Sequence, residues 1–347
     1  MSSTNLVRAL SFASLLVASA ATVAQSQSSA TDPRLLILSK NEQMLSIVDP
    51  ATLEIVGRVA TGPDPHEVVA SDDGTRAYVS NYGGGTYNTL TVIDLVNQKS
   101  LGTIDLGALR GPHGLHYLGG KVWFTSEVAK VIGSYDPATS KIDLILGTGQ
   151  DGTHMVYAFP DMSRLVTTNV GSGTVTIFEK RAGPRPSWAA MSFPAGERVE
   201  GFDVSPDLKQ IWAASAVTGN IMITDVASKS QMALAAGVQG ANRLKFTPDG
   251  KLVLVSSLGG GPGPGGESLK TPRLTIIRAS DREVVKRVDI GTGAAGIQIP
   301  PDGARAYVAC SPDNYVAVVD LKSMAVVGRI DAGKNPDGLT WTAIPRR

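Results

Sequence analysis

Three of the four histidines in this chain stand at the same position of a phrase that recurs along the sequence. His66 and His113 each follow a proline, His154 follows a threonine, and each opens a short run of strand-forming residues. Glu200 takes that position in the fourth copy of the phrase. Neutral imidazoles with a carboxylate are ligands that Zn, Fe, Cu and Mn accept in proteins. His66, His113, His154 and Glu200 are therefore the predicted metal ligands.

Three alternatives follow from this arrangement. A metal with an open coordination position could polarise a carbonyl group or activate water. Without a metal, the same residues would form a polar mouth that binds a small molecule or a protein partner. A purely structural role is the third alternative, because an imidazole can hydrogen-bond the backbone of a neighbouring element. His116 lies three residues beyond His113, faces away from it by strand alternation, and is assigned a structural role.

Further polar residues are expected around the ligands. They occupy the histidine position in later copies of the phrase, or the ends of the strands that follow it. The predicted ligand-binding residues are Asn81, Glu127, Asn169, Asn242 and Asp337. Asn81, Glu127 and Asn169 are expected to act as outer partners of the imidazoles. Two enlarged loops, 82–88 and 259–272, are predicted on the same face and favour a binding site there.

The phrase itself predicts the elements that position these residues. Each copy is a short strand, a Pro-Asp-Gly-like turn and a second strand rich in β-branched and aromatic residues, as around Asp207, Asp249 and Asp302. A third strand ending in an acid follows, as at Asp94 and Asp320, and then a fourth. Four strands per unit make one blade of a β-propeller.

The starts of the inner strands can be aligned as a column of seven, 41 to 53 residues apart. The column residues are His66, His113, His154, Glu200, Asn242, Ala295 and Asp337. The copy at Asp337 has no second strand after it, whereas 35–39 is a second strand without an inner one. Pairing the two closes the ring and removes two open sheet edges, which neither a β-sandwich nor a solenoid predicts. The predicted fold class is all-β, a single seven-bladed β-propeller of four-stranded blades over 34–343.

At this point the chain resembles the YVTN-repeat β-propeller family. The resemblance rests on 78–81 and 167–169 as strand ends, on the Pro-Asp-Gly turns and on the Val-Ile-Asp third strands. It implies the seven-bladed fold, and it implies either a binding protein or a lactonase-like enzyme. The Glu/Asn/Asp metal set of calcium-dependent lactonase propellers is not matched, because histidine dominates here and calcium prefers oxygen ligands.

Composition limits the functions further. The 32 Lys and Arg nearly balance the 31 Asp and Glu, and without a basic cluster no nucleic-acid partner is expected. Residues 1–30 carry a cation, an apolar run and small residues, which predicts a cleaved signal peptide, no remaining transmembrane segment, and a periplasmic or secreted protein. The single cysteine, Cys310, cannot form an intrachain disulfide and is expected to be buried.

The sequence thus predicts an exported propeller that binds a small molecule, a metal or a protein partner at its channel mouth. The cofactor expected is a divalent transition metal, Zn, Fe, Cu or Mn. The alternative function is a metal-dependent hydrolase of the lactonase kind, or a lyase, that uses the His/His/His/Glu set. No nucleophile elbow, haem-attachment motif or nucleotide fingerprint occurs in the sequence.

Overall fold

The computed structural model describes residues 30–183, 187–259 and 274–346, which form seven four-stranded antiparallel sheets. Each sheet is one blade, and the innermost strands of neighbouring blades pack against each other around a central channel. The predicted all-β, seven-bladed propeller is confirmed. Its strands span 31–345, slightly beyond the predicted 34–343. The predicted signal peptide lies outside the described residues, apart from Ala30.

In blades 1 to 6 the chain passes from the innermost strand to the outermost before it enters the next blade. Blade 1 contains β4 (Pro65–Ala70), β5 (Arg76–Asn81), β6 (Thr89–Asp94) and β7 (Lys99–Asp105). Blade 2 contains β8 (Pro112–Leu118), β9 (Lys121–Ser126), β10 (Val131–Asp136) and β11 (Lys141–Gly147). Blade 3 contains β12 (Thr153–Ala158), β13 (Arg164–Asn169), β14 (Thr174–Arg181) and β15 (Ser187–Pro194). Blade 4 contains β16 (Val199–Val204), β17 (Gln210–Ser215), β18 (Ile221–Asp225) and β19 (Gln231–Leu234). Blade 5 contains β20 (Ala241–Phe246), β21 (Leu252–Ser257), β22 (Leu274–Arg278) and β23 (Val284–Val288). Blade 6 contains β24 (Ala294–Gln298), β25 (Arg305–Cys310), β26 (Tyr315–Asp320) and β27 (Ala325–Ile330).

Blade 7 is built from both ends of the described chain. Its inner strand is β28 (Pro336–Pro345), followed outward by β1 (Thr31–Ser39), β2 (Met44–Val48) and β3 (Ile55–Ala60). Leu36 pairs with Thr340 and Ile37 pairs with Leu339. The predicted closure of the ring is therefore confirmed.

The core is divided among the interfaces between adjacent blades. The seven clusters of buried apolar side chains found among the described residues each join two neighbouring blades. At the interface between blades 6 and 7, for example, Ile37 and Leu339 pack with Tyr307. Cys310 is fully buried in such a cluster, as expected. Because each blade is covered by its neighbours on both faces, strand residues of both orientations can be apolar.

Regular helix is minimal in the described part of the chain. It contains two single-turn 3-10 helices, Gly83–Gly85 and Ser311–Asp313. None of the described helices has the length and apolar character needed to cross a membrane.

Candidate functional site at the channel mouth

Every residue of the predicted column is the second residue of its inner strand. The pairing register shifts there in each blade: Pro65 pairs with Asn81 and Val68 with Val79, so that His66 and Glu67 together oppose one residue of β5. The same shift occurs in the other six blades. Such β-bulges kink a strand and re-aim its side chains, often beside functional sites. The column residues are presented at the channel mouth by seven equivalent bulges.

A hydroxyl group in the second strand holds several of these bulges in place. Ser80 Oγ accepts a hydrogen bond from the amide of Glu67 and donates to the carbonyl oxygen of His113 in the next blade, at 3.0 and 2.8 Å. Thr125 and Thr168 do the same, donating to the carbonyls of His154 and Glu200 at 2.7 and 2.9 Å. The backbone of the column is thus tied from blade to blade where the site residues lie.

The structure brings the three histidines of the column together. The ring centroids of His66 and His113 lie 4.9 Å apart, and those of His113 and His154 lie 3.8 Å apart. His113 and His154 are buried, with 3% and 6% of their surface exposed. The rings of His113 and His154 therefore lie against each other, largely shielded from solvent.

His66 is turned toward a different set of partners. Its Nε2 lies 2.8 Å from Lys40 Nζ, and its Nδ1 lies 3.2 Å from the carbonyl oxygen of Asp64. An ammonium group can only donate, so Nε2 accepts and Nδ1 carries the proton. Lys40 also donates to Asp337 at 3.1 Å. The lone pair of His66 that a metal would need is therefore engaged by Lys40.

His154 lies between two carboxylates. Its Nδ1 is 2.5 Å from Glu127 Oε1, and its Nε2 is 3.2 Å from Glu200 Oε2, although this second contact lacks hydrogen-bond geometry. Tyr82 donates its hydroxyl to the other oxygen of Glu127 at 2.5 Å. Arg198 binds the remaining oxygen of Glu200 at 3.1 Å. A phenol, two carboxylates and an imidazole thus form one connected network.

The two buried imidazoles differ in protonation. Burial lowers the pKa of His113 well below 6.5, and the neighbouring His154 and His66 lower it further. Burial also opposes a charge on His154, but Glu127 and Glu200 outweigh it and raise the pKa of this imidazole. Burial opposes the charge of Glu200 as well, yet His154 and Arg243 hold its pKa at about 2. Burial therefore favours the neutral form of His113, whereas Glu127 and Glu200 favour the charged form of His154.

The compact group of metal-ligating atoms differs from the predicted set. His113, Glu127 and His154 each offer one donor atom, and these atoms all lie within 4.8 Å of one another. Glu127, predicted as an outer partner, takes the place that His66 and Glu200 were given. His66 stays outside because Lys40 holds its Nε2, and Glu200 contacts the group only through His154.

The other four predicted ligand-binding residues hydrogen-bond to groups outside the three-residue cluster. Asn81 and Asn169 are fully buried, and their amides bond to threonines of their own blades rather than to imidazoles. Asn242 accepts a hydrogen bond from Arg243 at 3.3 Å, and Asp337 binds Lys40. All four lie in or behind the mouth, but none contacts the His113–Glu127–His154 group through a hydrogen bond.

Sequence reasoning missed two groups of residues at the mouth. Lys40 and Tyr82 occupy the same place as Glu127, directly after the second strand of their blade. This position reaches the column of the next blade, as Lys40 reaches His66, and it is a second column that alignment of the repeats could have identified. Arg243 and Glu67, each one residue past the first column, form an ion pair at 2.6 Å.

A separate cleft of about 1400 Å³ lies on the opposite face, among the Pro-Asp-Gly-like turns of blades 4 to 6. Its carboxylates serve their own turns: Asp207 accepts from Ser205 at 2.6 Å, and Asp249 accepts from Thr247 at 2.7 Å. We therefore place the candidate site at the histidine mouth and not in this cleft.

Comparison with known proteins identifies the fold. No protein-family model matches the chain, and no curated protein matches it significantly. Solved structures do match. A protein of unknown function from Desulfotomaculum acetoxidans has a TM-score of 0.73 and 13% identity, over 90% of this chain and 99% of that one. A 6-phosphogluconolactonase candidate from Bacteroides uniformis has a TM-score of 0.71 and 15% identity, over 90% and 99%. Hydrazine synthase from Kuenenia stuttgartiensis has a TM-score of 0.70 and 19% identity, over 83% and 92%. At such identities the likeness shows the propeller fold alone.

Proposed function

We propose that this chain is an exported, YVTN-type β-propeller that binds a divalent transition metal at its channel mouth and uses it to hold a small molecule. The observation that carries the proposal is the convergence of His113, Glu127 and His154 within 4.8 Å. Two imidazoles and a carboxylate suit Zn, Fe, Cu or Mn, and three protein ligands leave a position for an exogenous ligand.

Unsatisfied nitrogen atoms support this assignment. Nδ1 of His113 and Nε2 of His154 are buried and have no hydrogen-bond partner. A buried polar atom without a hydrogen bond costs about 1–3 kcal/mol, and a metal bound to these nitrogens would offset that cost. The low pKa of His113 keeps its lone pair available, since a protonated imidazole cannot bind a metal.

The carboxylates can contribute in two ways. Glu127 can bind the metal directly, or it can orient His154 through Nδ1, as carboxylates commonly do for metal-bound histidines. In the second arrangement Glu200, beside Nε2 of His154, becomes the oxygen ligand. Either arrangement gives a metal with open positions.

The proposed export rests on the first thirty residues, whose pattern is that of a cleaved signal peptide. The assignment to the YVTN type rests on the strand-end and turn motifs of the repeat. A chain of this kind would work in the periplasm or outside the cell. Its single, buried cysteine is compatible with an oxidising compartment.

Hydrolysis of the lactonase kind, or an elimination, is the second candidate function. The favouring observation is that the ammonium of Lys40 and the hydroxyl of Tyr82 lie at the same mouth and contact site residues. A metal would supply a Lewis acid there, and these groups would supply proton donors. A 6-phosphogluconolactonase candidate is among the proteins that share the fold.

The test is elemental analysis and metal titration of the purified exported protein. We expect near-stoichiometric Zn, Fe, Cu or Mn in the wild type and its loss in His113→Ala and His154→Ala. His66→Gln is the matched variant, because His66 stands in the same column and is held by Lys40, and it should keep the metal. Absence of metal in the wild type after reconstitution with all four ions would overturn the proposal. Loss of metal in His66→Gln would restore the ligand set predicted from the sequence.

A further inference from the structure

A second ring of side chains lines the channel below the mouth. Its members stand three residues after the column residue in each inner strand, and all seven are partly exposed, whereas most of their strand neighbours are buried between blades. The bulge at the column adds one residue to the strand, so these residues lie on the same side as the column residue and not on the opposite side that plain alternation predicts for His116, and they face the channel. The lower ring consists of Val69, His116, Tyr157, Asp203, Lys245, Gln298 and Thr340.

An ion pair separates the lower ring from the mouth. Glu67 and Arg243 belong to the inner strands of blades 1 and 5, which stand nearly opposite each other, and they meet at 2.6 Å. Each lies one residue past the column and two residues before the lower ring. The pair therefore crosses the channel between the two levels, and a ligand in the lower ring would not contact the metal site.

One member of the lower ring is fixed as a hydrogen-bond donor. His116 Nδ1 accepts the amide proton of Ala158 in the next blade at 2.9 Å. An imidazole nitrogen that accepts carries no proton, so the proton of neutral His116 is on Nε2. Its ring stacks on Tyr157, with centroids 4.8 Å apart and planes 16° apart. Burial lowers the pKa of His116 to about 4, which keeps the ring neutral at neutral pH, while the bond from Ala158 fixes the tautomer.

Lys245 is the cation of the lower ring. Its ammonium forms no hydrogen bond or ion pair with any residue in the described parts of the chain, although it is only partly exposed. Its charge contributes to the lowered pKa of His116, and it opposes the rise that burial causes in the pKa of Asp203. One carboxylate oxygen of Asp203 accepts a hydrogen bond from the backbone amide of Phe246, at 2.8 Å. The Lys245 ammonium therefore has donor capacity left for a bound anion.

We propose that the lower ring is a second binding site, separate from the mouth, for a small carboxylate monoanion held by Lys245 and the Nε2–H of His116. The stacked faces of His116 and Tyr157 form one wall of the site. Asp203 disfavours a second negative charge on the ligand, because its carboxylate repels a dianion such as phosphate more strongly than a monoanion. This inference does not depend on a metal at the mouth.

The experiment is isothermal titration of the full-length exported protein with acetate and, separately, with inorganic phosphate. We expect saturable acetate binding and weaker phosphate binding in the wild type. Lys245→Met should weaken acetate binding about tenfold or more, since a charge-assisted hydrogen bond is lost. Lys251→Met is the matched control, because Lys251 follows the same strand but has 78% of its side chain exposed, and it should bind like the wild type.

Two further variants keep the proposal testable if Lys245→Met does not fold. His116→Phe preserves the stacking and removes the donor, and it should weaken acetate binding. Asp203→Asn should strengthen phosphate binding. Removal of metal with a chelator should leave acetate binding unchanged, which separates this site from the mouth. Wild-type protein that binds neither anion, or equal acetate affinity in wild type, Lys245→Met and His116→Phe, would overturn the inference.

Discussion

Removing one partner of the Glu67–Arg243 ion pair should lower the free energy of unfolding, and the two single variants should not be equal. Their side chains are only 10% (Arg243) and 14% (Glu67) exposed. Breaking a buried pair costs about 3–5 kcal/mol when a charge is left uncompensated. In Arg243→Met the carboxylate of Glu67 stays buried without its partner, so we expect the full loss of about 3–5 kcal/mol. In Glu67→Gln, Asp337 and Glu200 still act on Arg243, so we expect a smaller loss of about 2–3 kcal/mol.

Urea denaturation of the two single variants and of the double variant measures these costs. The double variant should be more stable than the sum of the single losses implies, because it leaves no unpaired charge, and the coupling should exceed about 1 kcal/mol. Additive losses within about 0.5 kcal/mol would show that the side chains do not interact across the channel. A larger loss in Glu67→Gln than in Arg243→Met would refute the compensating role of the other acids.

Three other predictions concern the pH dependence, the packing and the closure of the ring. The raised pKa of His154 stabilises the fold below pH 6.5, and this contribution is lost as the pH rises through the folded pKa of His154. The lowered pKa of Glu200 stabilises the fold above pH 4.5, and this contribution is lost as the pH falls toward about 2. The difference in unfolding free energy between wild type and His154→Gln should therefore be greatest between pH 4.5 and 6.5, as followed by denaturation across a pH series. Gly201→Ala should lose about 1–3 kcal/mol in urea, because its Cβ would overlap a carbonyl oxygen of the next blade, while Gly147→Ala, with open space around it and an ordinary φ, should be near neutral. Ile37→Ala in the closing strand should lower stability by about 2–5 kcal/mol, and a loss below 1 kcal/mol in thermal and urea unfolding would argue that blade 7 is not closed as described.

The fold could be predicted from the sequence because every blade repeats the same order of strands and turns and buries its apolar side chains against its neighbours. Each column residue falls at the second position of its inner strand, and the unpaired segments at the two chain ends pair as expected. Hydrophobic alternation and turn residues carry this information locally. The bulge at each column position was not predicted, because an extra residue in one strand leaves no mark in the composition of the phrase.

The site could be predicted only in part, because it depends on where the blades differ. Asn81 and Asn169 end their second strands, whereas Glu127 comes one residue after the end of its own. A shift of one residue reverses the direction of a strand side chain, so the two amides point into their blades while Glu127 reaches His154. Treating the three as equivalents therefore combined two different positions.

Long-range contacts account for the rest. Lys40 binds His66 only because the closing blade brings β1 beside blade 1. The Glu67–Arg243 pair joins residues 176 positions apart and requires the diameter of the channel to match the two side chains. Neither distance is encoded in local periodicity.

The closing strand pair also determines how the ring responds to mechanical force. Thr31 pairs with Pro345 at one end of the β1–β28 ladder, on the face away from the histidines, and Ser39 pairs with Pro336 at the other end. Tension applied through residues 30 and 346 would therefore open the antiparallel ladder one hydrogen bond at a time instead of shearing all of them together. In a pulling experiment this unzipping geometry should release β1 from β28 at low force and leave blades 1 to 6 folded at first. The same placement means that a tether attached at either of these residues holds the protein with its histidine mouth facing away from the surface.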